Sequence, residues 1–228
     1  MSGPSEVEQA LRECGVEPTH RPFPVVIDML SRRCIEVLEE SRVSWEPLAK
    51  AFGVRPRQPG EAGRTLPYAR QVQFLQAAAK LARDPLLGLR VGQVKLADIE
   101  LIGQLALRSA TVGDALRALV EFQALLTDGS AYELRIGDLD TSYGFTIKAA
   151  DAGPCEQIHL IVAQGLLHYL RELAGPAFQP REILVGEVGS DLCPAIADRL
   201  RATVRSGGAS TAIVFPSSVL DRRLSMAD

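Results

Sequence analysis

The hydrophobic repeat of this chain changes from about 3.6 residues to about 2 near Gly129, and that change limits the fold more than any other feature. Upstream, "TVGDALRALVEFQALL" carries apolar residues at helical spacing, with Thr111 placed to cap and Asp114 three residues on. Downstream, Tyr132, Leu134 and Ile136 alternate with Glu133 and Arg135. Tyr143, Phe145 and Ile147 alternate in the same way with Gly144, Thr146 and Lys148. "GDLDTS" joins the two runs as a turn. Such alternation makes a hairpin with one apolar face, and that face has to be covered.

The rest of the chain divides around this point. "VVIDMLSRRCIEVLEE" places Ile27, Leu30, Cys34, Val37 and Leu38 on one helical stripe. "SWEPLAKAFGV" reads as a short helix capped by Ser44, and "LPYARQVQFLQAAAKLAR" as a longer one beginning near Pro67. "PLLGLRVGQ" and "DIELIGQLALRS" follow, so residues 25–128 are expected to be helical, with strands only after Ser130. Beyond the hairpin come a long helix over residues 154–173, the strand "EILVGEV", the helix "DLCPAIADRLRAT" and a last strand "STAIVFP". The expected class is α+β: a helical N-terminal half packed on a small β-β-α-β-α-β C-terminal half over residues 130–224. Residues 1–24 hold a Ser5/Glu8 capping pattern and a proline-rich connector, and read as an N-terminal extension.

The 154–173 helix is the nearest cover for the hairpin, yet it is apolar on more than one face. Leu167 and Leu170 are therefore the expected face of a homodimer, against the alternative of a helix sandwiched inside one subunit.

Composition excludes several functions. With 25 basic and 28 acidic residues, the chain is not built to attract nucleic acid. Hydrophobic residues make up 46%, enough for a real core rather than disorder. Cys14, Cys34, Cys155 and Cys193 form no CxxC pair, which fits reduced thiols in a cytoplasmic protein. No secretory signal or membrane-length apolar run is present. No nucleotide-binding glycine motif or nucleophile elbow occurs, so no enzymatic activity, metal or cofactor is expected. His168 stands among polar neighbours. His159 lies on an apolar part of its helix, as a core residue or a ligand contact. Arg90 caps a helix end or pairs with a carboxylate, or else anchors an anionic effector.

Two segments carry a resemblance. "DPLLGLRVGQ" followed by "LIGQLALRSATVGDALRALVEFQALL" is similar to the effector domain of AraC/XylS-type transcription regulators, in the subgroup called arabinose-binding. The shared positions are Asp84, Pro85, Gly88, Leu89, Arg90, Gly92, Gly103, Ala106, Ser109, Thr111, Ala115, Leu116 and Leu126. "AIVFPSSVLDRRLSMAD" extends the resemblance through Phe215, Leu220, Asp221, Leu224, Ala227 and Asp228. The chain departs from the family pattern at "GEVGSD" and "RATVRSGGAS". The resemblance implies a ligand-sensing, dimerising domain of a bacterial regulator. Its DNA contacts would come only through a C-terminal helix-turn-helix domain absent from this chain.

The effector is expected to be a small hydrophobic molecule or carboxylate. It is placed where residues 111–126 and 154–173 meet the hairpin, lined by Leu116, Leu119, Phe122, Phe145, Ile147, His159 and Val162, with Arg90 or His159 as polar anchor. A small soluble enzyme and a dimerisation module without effector are the alternatives. On charge alone, this chain by itself is expected to give no sequence-specific retardation of DNA in a gel-shift assay at physiological salt, and a specific shift would contradict the reading.

Overall fold

The structure, a computed structural model, describes residues 25–55, 65–150 and 152–224. The expectations for residues 1–24, for the Pro/Gly-rich stretch 56–64 and for Ala227 and Asp228 lie outside these. The helical half contains α1 (Met29–Glu40), α2 (Glu46–Phe52), α3 (Tyr68–Ala82), α4 (Leu87–Val91), α5 (Glu100–Leu107) and α6 (Val112–Phe122). α1 buries Cys34, Ile35, Val37 and Leu38, the stripe its period requires. Thr111 caps α6: its hydroxyl oxygen accepts from the Asp114 N–H at 3.1 Å and donates to the Asp114 carboxylate at 2.8 Å. Ser44 does not cap α2. That helix begins at Glu46, and the Ser44 hydroxyl donates to the Glu46 carboxylate instead.

Strands also occur before Ser130. β1 (Val25–Ile27) and β2 (Thr65–Pro67) pair antiparallel, with Val26 opposite Leu66. This corrects the expectation that strands appear only after Ser130 and removes Ile27 from the α1 stripe. The run Val25-Val26-Ile27 is β-branched and favours extended backbone, but its partner lies far along the chain, where no local period registers it.

The second half is one five-stranded sheet of β3 (Ser130–Ile136), β4 (Asp140–Ile147), β5 (Glu182–Val185), β6 (Val204–Ser206) and β7 (Ser210–Pro216), in the order β3-β4-β7-β5-β6. β5 and β6 run parallel around α8 (Cys193–Leu200), and the other pairs are antiparallel. The observed order is therefore β-β-α-β-α-β-β. The extra strand, β6, sits in a segment whose single apolar residue, Val204, offers no period to read. The helix between the hairpin and β5 is α7 (Glu156–Ala174).

α7 makes its principal sheet contacts with β7 and β5 rather than with the hairpin, and α3, α4 and α6 close over its other side. This explains its apolar character on more than one face. Leu167 and Leu170 are fully buried in the chain's own core and present no surface to a partner. α4 can approach α7 closely because residue 88 is glycine. A Cβ there would lie 2.5 Å from the Gln157 carbonyl oxygen and 2.8 Å from the Leu160 Cβ. The Gly88 N–H donates to Gln157 Oε1 at 2.8 Å, and Gln157 Nε2 donates to the Pro85 carbonyl at 2.9 Å. Gly88→Ala is expected to force these helices apart and cost about 1–3 kcal/mol. The check is a lowered urea midpoint relative to Ala69→Gly, a control on the half-exposed side of α3.

Candidate functional site

α7 spends its sheet-facing side on β7 and β5, so the inner face of the hairpin is left to close against α6, which lies on β3. The closure is incomplete. A cavity remains between the helical half and the hairpin, with about 940 Å³ of space not filled by protein atoms when its open mouth is counted. α7 supplies one wall with Ile158, Ile161, Val162, Gly165, Leu166 and Tyr169. Tyr132, Tyr143 and Phe145 of the hairpin form the wall opposite, and in the β3–β4 register Tyr132 stands across from Phe145. Met29, Leu30, Tyr68 and Gln71 come from α1 and α3, and Leu119 and Gln123 from α6 and the turn after it.

The chain has four tyrosines, and all four line this cavity. Burial pushes the Tyr132 phenol up to about 12. Burial also raises those of Tyr68, Tyr143 and Tyr169, and for each of these three Tyr132 is the second cause, so the hydroxyls share one neighbourhood. They are neutral hydrogen-bonding groups at any physiological pH. The Tyr68 hydroxyl bonds to the Ser130 side chain. Its ring lies where a side chain at Gly129 would stand, so the glycine at the change of period makes room for it. The hydroxyls of Tyr132, Tyr143 and Tyr169 make no hydrogen bond to a described residue. Gln123 Oε1 is shielded from solvent and likewise has no partner among the described residues. No described residue lining the cavity carries a charge.

Among the residues expected around an effector, Leu119, Phe145 and Val162 line the cavity. Leu116 is fully buried behind it, and Phe122 and Ile147 pack against the core without lining it. Arg90 lies elsewhere. Its guanidinium donates to the Ser41 hydroxyl at 2.9 Å and sits 3.7 Å from Asp84 and 3.8 Å from Glu40, so it ties the C-terminal end of α1 to α4. That is the helix-end role, favoured by the carbonyls at the end of α1.

His159 is also off the cavity, one layer behind Phe145, whose ring meets it edge-on at 5.8 Å. Its Nδ1 is 2.9 Å from the Thr211 hydroxyl, which accepts from the Gly186 N–H. Its Nε2 has no hydrogen-bond partner among the described residues and lies 3.9 Å from Glu187. Burial lowers the imidazole pKa to about 4, so the Glu187 contact is not an ion pair at neutral pH. His168 sits on the outer side of α7, 3.5 Å from Glu172. Sequence reasoning missed the tyrosines and both glutamines. The available signal was tyrosine at apolar positions of a strand or helix, where the hydroxyl needs an outlet.

A family model described as the arabinose-binding domain of AraC transcription regulator, N-terminal, matches residues 43–224. The chain belongs to this family. No curated protein matches it. A similar solved structure is the transcriptional regulator CdpR from Pseudomonas aeruginosa, at 18% sequence identity with a TM-score of 0.62 over 88% of this chain. The chain spans 59% of the length of that protein's chain, and at this identity the likeness is one of fold. Within this arabinose-binding domain, the "DPLLGLRVG" residues that carried the resemblance dock α4 on α7 and hold one side of the cavity in place.

The His159 geometry gives the domain a definite pH response. In the unfolded chain the imidazole takes up a proton near pH 6.5, while in the folded chain it resists until about pH 4. Between these values the unfolded state binds more protons, so stability is complete above pH 6.5 and falls as pH drops toward 4. The loss is expected to be about 3 kcal/mol at most. His159→Gln should flatten this part of the curve in urea titrations from pH 7.5 to 4.5, whereas an unchanged slope would show that other groups govern it.

Proposed function

We propose that this domain is the ligand-sensing part of a bacterial AraC-type regulator and that a small, predominantly apolar effector binds in the tyrosine-lined cavity. The observation that carries the reading is the position of the cavity: its walls come from α1, α3, α6, α7 and the hairpin, so an occupant touches both halves of the fold at once. A ligand that prefers one spacing of these walls shifts the population toward it. DNA contact then belongs to helix-turn-helix units outside the matched residues, and the domain works as a homodimer in the cytoplasm. Leu167 and Leu170 are not the face of that dimer, since both are interior. No described helix is long and apolar enough to cross a membrane.

Two rival readings draw less support. A nucleophilic enzyme would need an activated group, but burial pushes the Cys155 thiol up to about 12 and His159 is committed to Thr211. A free pentose, the sugar in the family's name, would pair some of its hydroxyls with the tyrosine and glutamine side chains but set the others against aliphatic side chains such as Ile161, Val162 and Leu166, where those find no partner.

The test is a thermal-shift screen of small apolar molecules on this chain and on Gly165→Leu. A Cβ at Gly165 meets only ordinary contacts and Gly165 lines the cavity, so the leucine is expected to fill part of that space, and an unchanged circular dichroism spectrum checks that the variant is folded. A true effector at 100 times its dissociation constant is expected to add about 2.7 kcal/mol of stability to the parent and almost none to the variant. Equal stabilisation of both proteins would place the binding site elsewhere.

A further inference from the structure

Resting on the reading that the cavity holds the effector, we infer that the effector is uncharged: an apolar body bearing a hydrogen-bond acceptor for the tyrosine hydroxyls and a donor for Gln123. The aliphatic walls select the body. The hydroxyls of Tyr132, Tyr143 and Tyr169, free of hydrogen bonds to described residues, are donors in need of an acceptor. The Gln123 Oε1 atom, shielded and without a partner among the described residues, needs a donor. A primary amide, a hydroxy ketone or a hydroxylated hydrophobe answers both needs.

Charge decides against the carboxylate that the sequence left open. An anion entering the cavity gives up its hydration and meets no cation among the described lining residues. Arg90, the expected anchor, is held among Ser41, Asp84 and Glu40. The ionised groups that act on a lining phenol are Glu172 and Asp98 at Tyr169, both negative, so they oppose a carboxylate further. A cation would be drawn by these two carboxylates, but Glu172 already accepts from the Leu96 N–H at 2.8 Å and stands beside His168. An ammonium group satisfies Gln123 Oε1 as a donor, but it brings no acceptor for the tyrosine hydroxyls, and no described lining residue carries a countercharge to offset its desolvation.

The experiment uses matched probes of one shape and three charges: 4-phenylbutanamide, 4-phenylbutanoate and 4-phenylbutylammonium, with octanamide, octanoate and octylammonium as a second skeleton. Affinities for the 228-residue chain are measured by calorimetry at pH 7.5. On at least one skeleton the amide is expected to bind tenfold or more tighter than either ion. Tyr132→Phe combined with Tyr169→Phe is expected to weaken the amide at least fivefold without lowering the unliganded melting temperature, because neither hydroxyl bonds to a described residue. Gly165→Leu should abolish binding. If a carboxylate or ammonium probe binds as tightly as the amide and Gly165→Leu still abolishes it, the cavity remains the site and the inference about charge is wrong. If no probe binds saturably, or Gly165→Leu changes nothing, the cavity reading falls and takes this inference with it.

Discussion

A helix that is apolar on more than one face has to be covered on each of them, and α7 is the element this fold covers in that way. Its 19 residues lie against β7 and β5 on one side and against α3, α4 and α6 on the other. Each fully buried leucine, isoleucine or valine along it contributes about 1.5–3 kcal/mol relative to exposure, so the two layers are held together chiefly through this helix. The close approach of α4 depends on Gly88, and the Gln157 side chain satisfies backbone groups at both ends of the α4 turn. The same arrangement governs the cavity. A helix centred on β7 and β5 cannot also cover the hairpin, and α6 covers β3 only in part.

The space left over is chemically unusual for a core. Its walls are aliphatic, yet every tyrosine of the chain stands in it, and burial keeps each phenol protonated. Leaving a polar group unpaired inside a fold costs about 1–3 kcal/mol, and a chain that needed only packing would carry phenylalanine at these positions. Phe145 shows the contrast within one strand. Two residues from Tyr143, it turns one side to the cavity and its edge to His159. Behind it, His159, Thr211 and Gly186 form a polar layer that fixes α7 to the sheet. The wall that α7 presents to the cavity is thus held in part by residues that do not line it.

Much of the site could be read from the sequence as position and little of it as composition. Helical and strand periods identified α6, α7 and the hairpin as the elements that meet, and placed Leu119, Phe145 and Val162 on their inner faces. The same method offered Leu116, Phe122, Ile147, His159 and Arg90, which the fold puts behind or away from the cavity. A period reports which side of an element avoids water. It does not report whether the neighbour on that side is another side chain or open space.

What the sequence determined by itself was the local part of the fold. Thr111 with Asp114 starts α6, the alternation through Tyr132–Leu134 and Tyr143–Phe145 makes the hairpin, and the apolar run of α7 demands burial on more than one face. These follow from backbone geometry and hydrophobicity within a few residues. Tertiary structure alone decided the long-range part: the β1–β2 pairing, the parallel β6, the seating of α7 on β7 and β5, and hence the convergence of Tyr68, Tyr132, Tyr143 and Tyr169. Those outcomes depend on how layers cross and which glycines let them approach. Such pairings are between residues far apart in the chain, and no repeat along one segment encodes them.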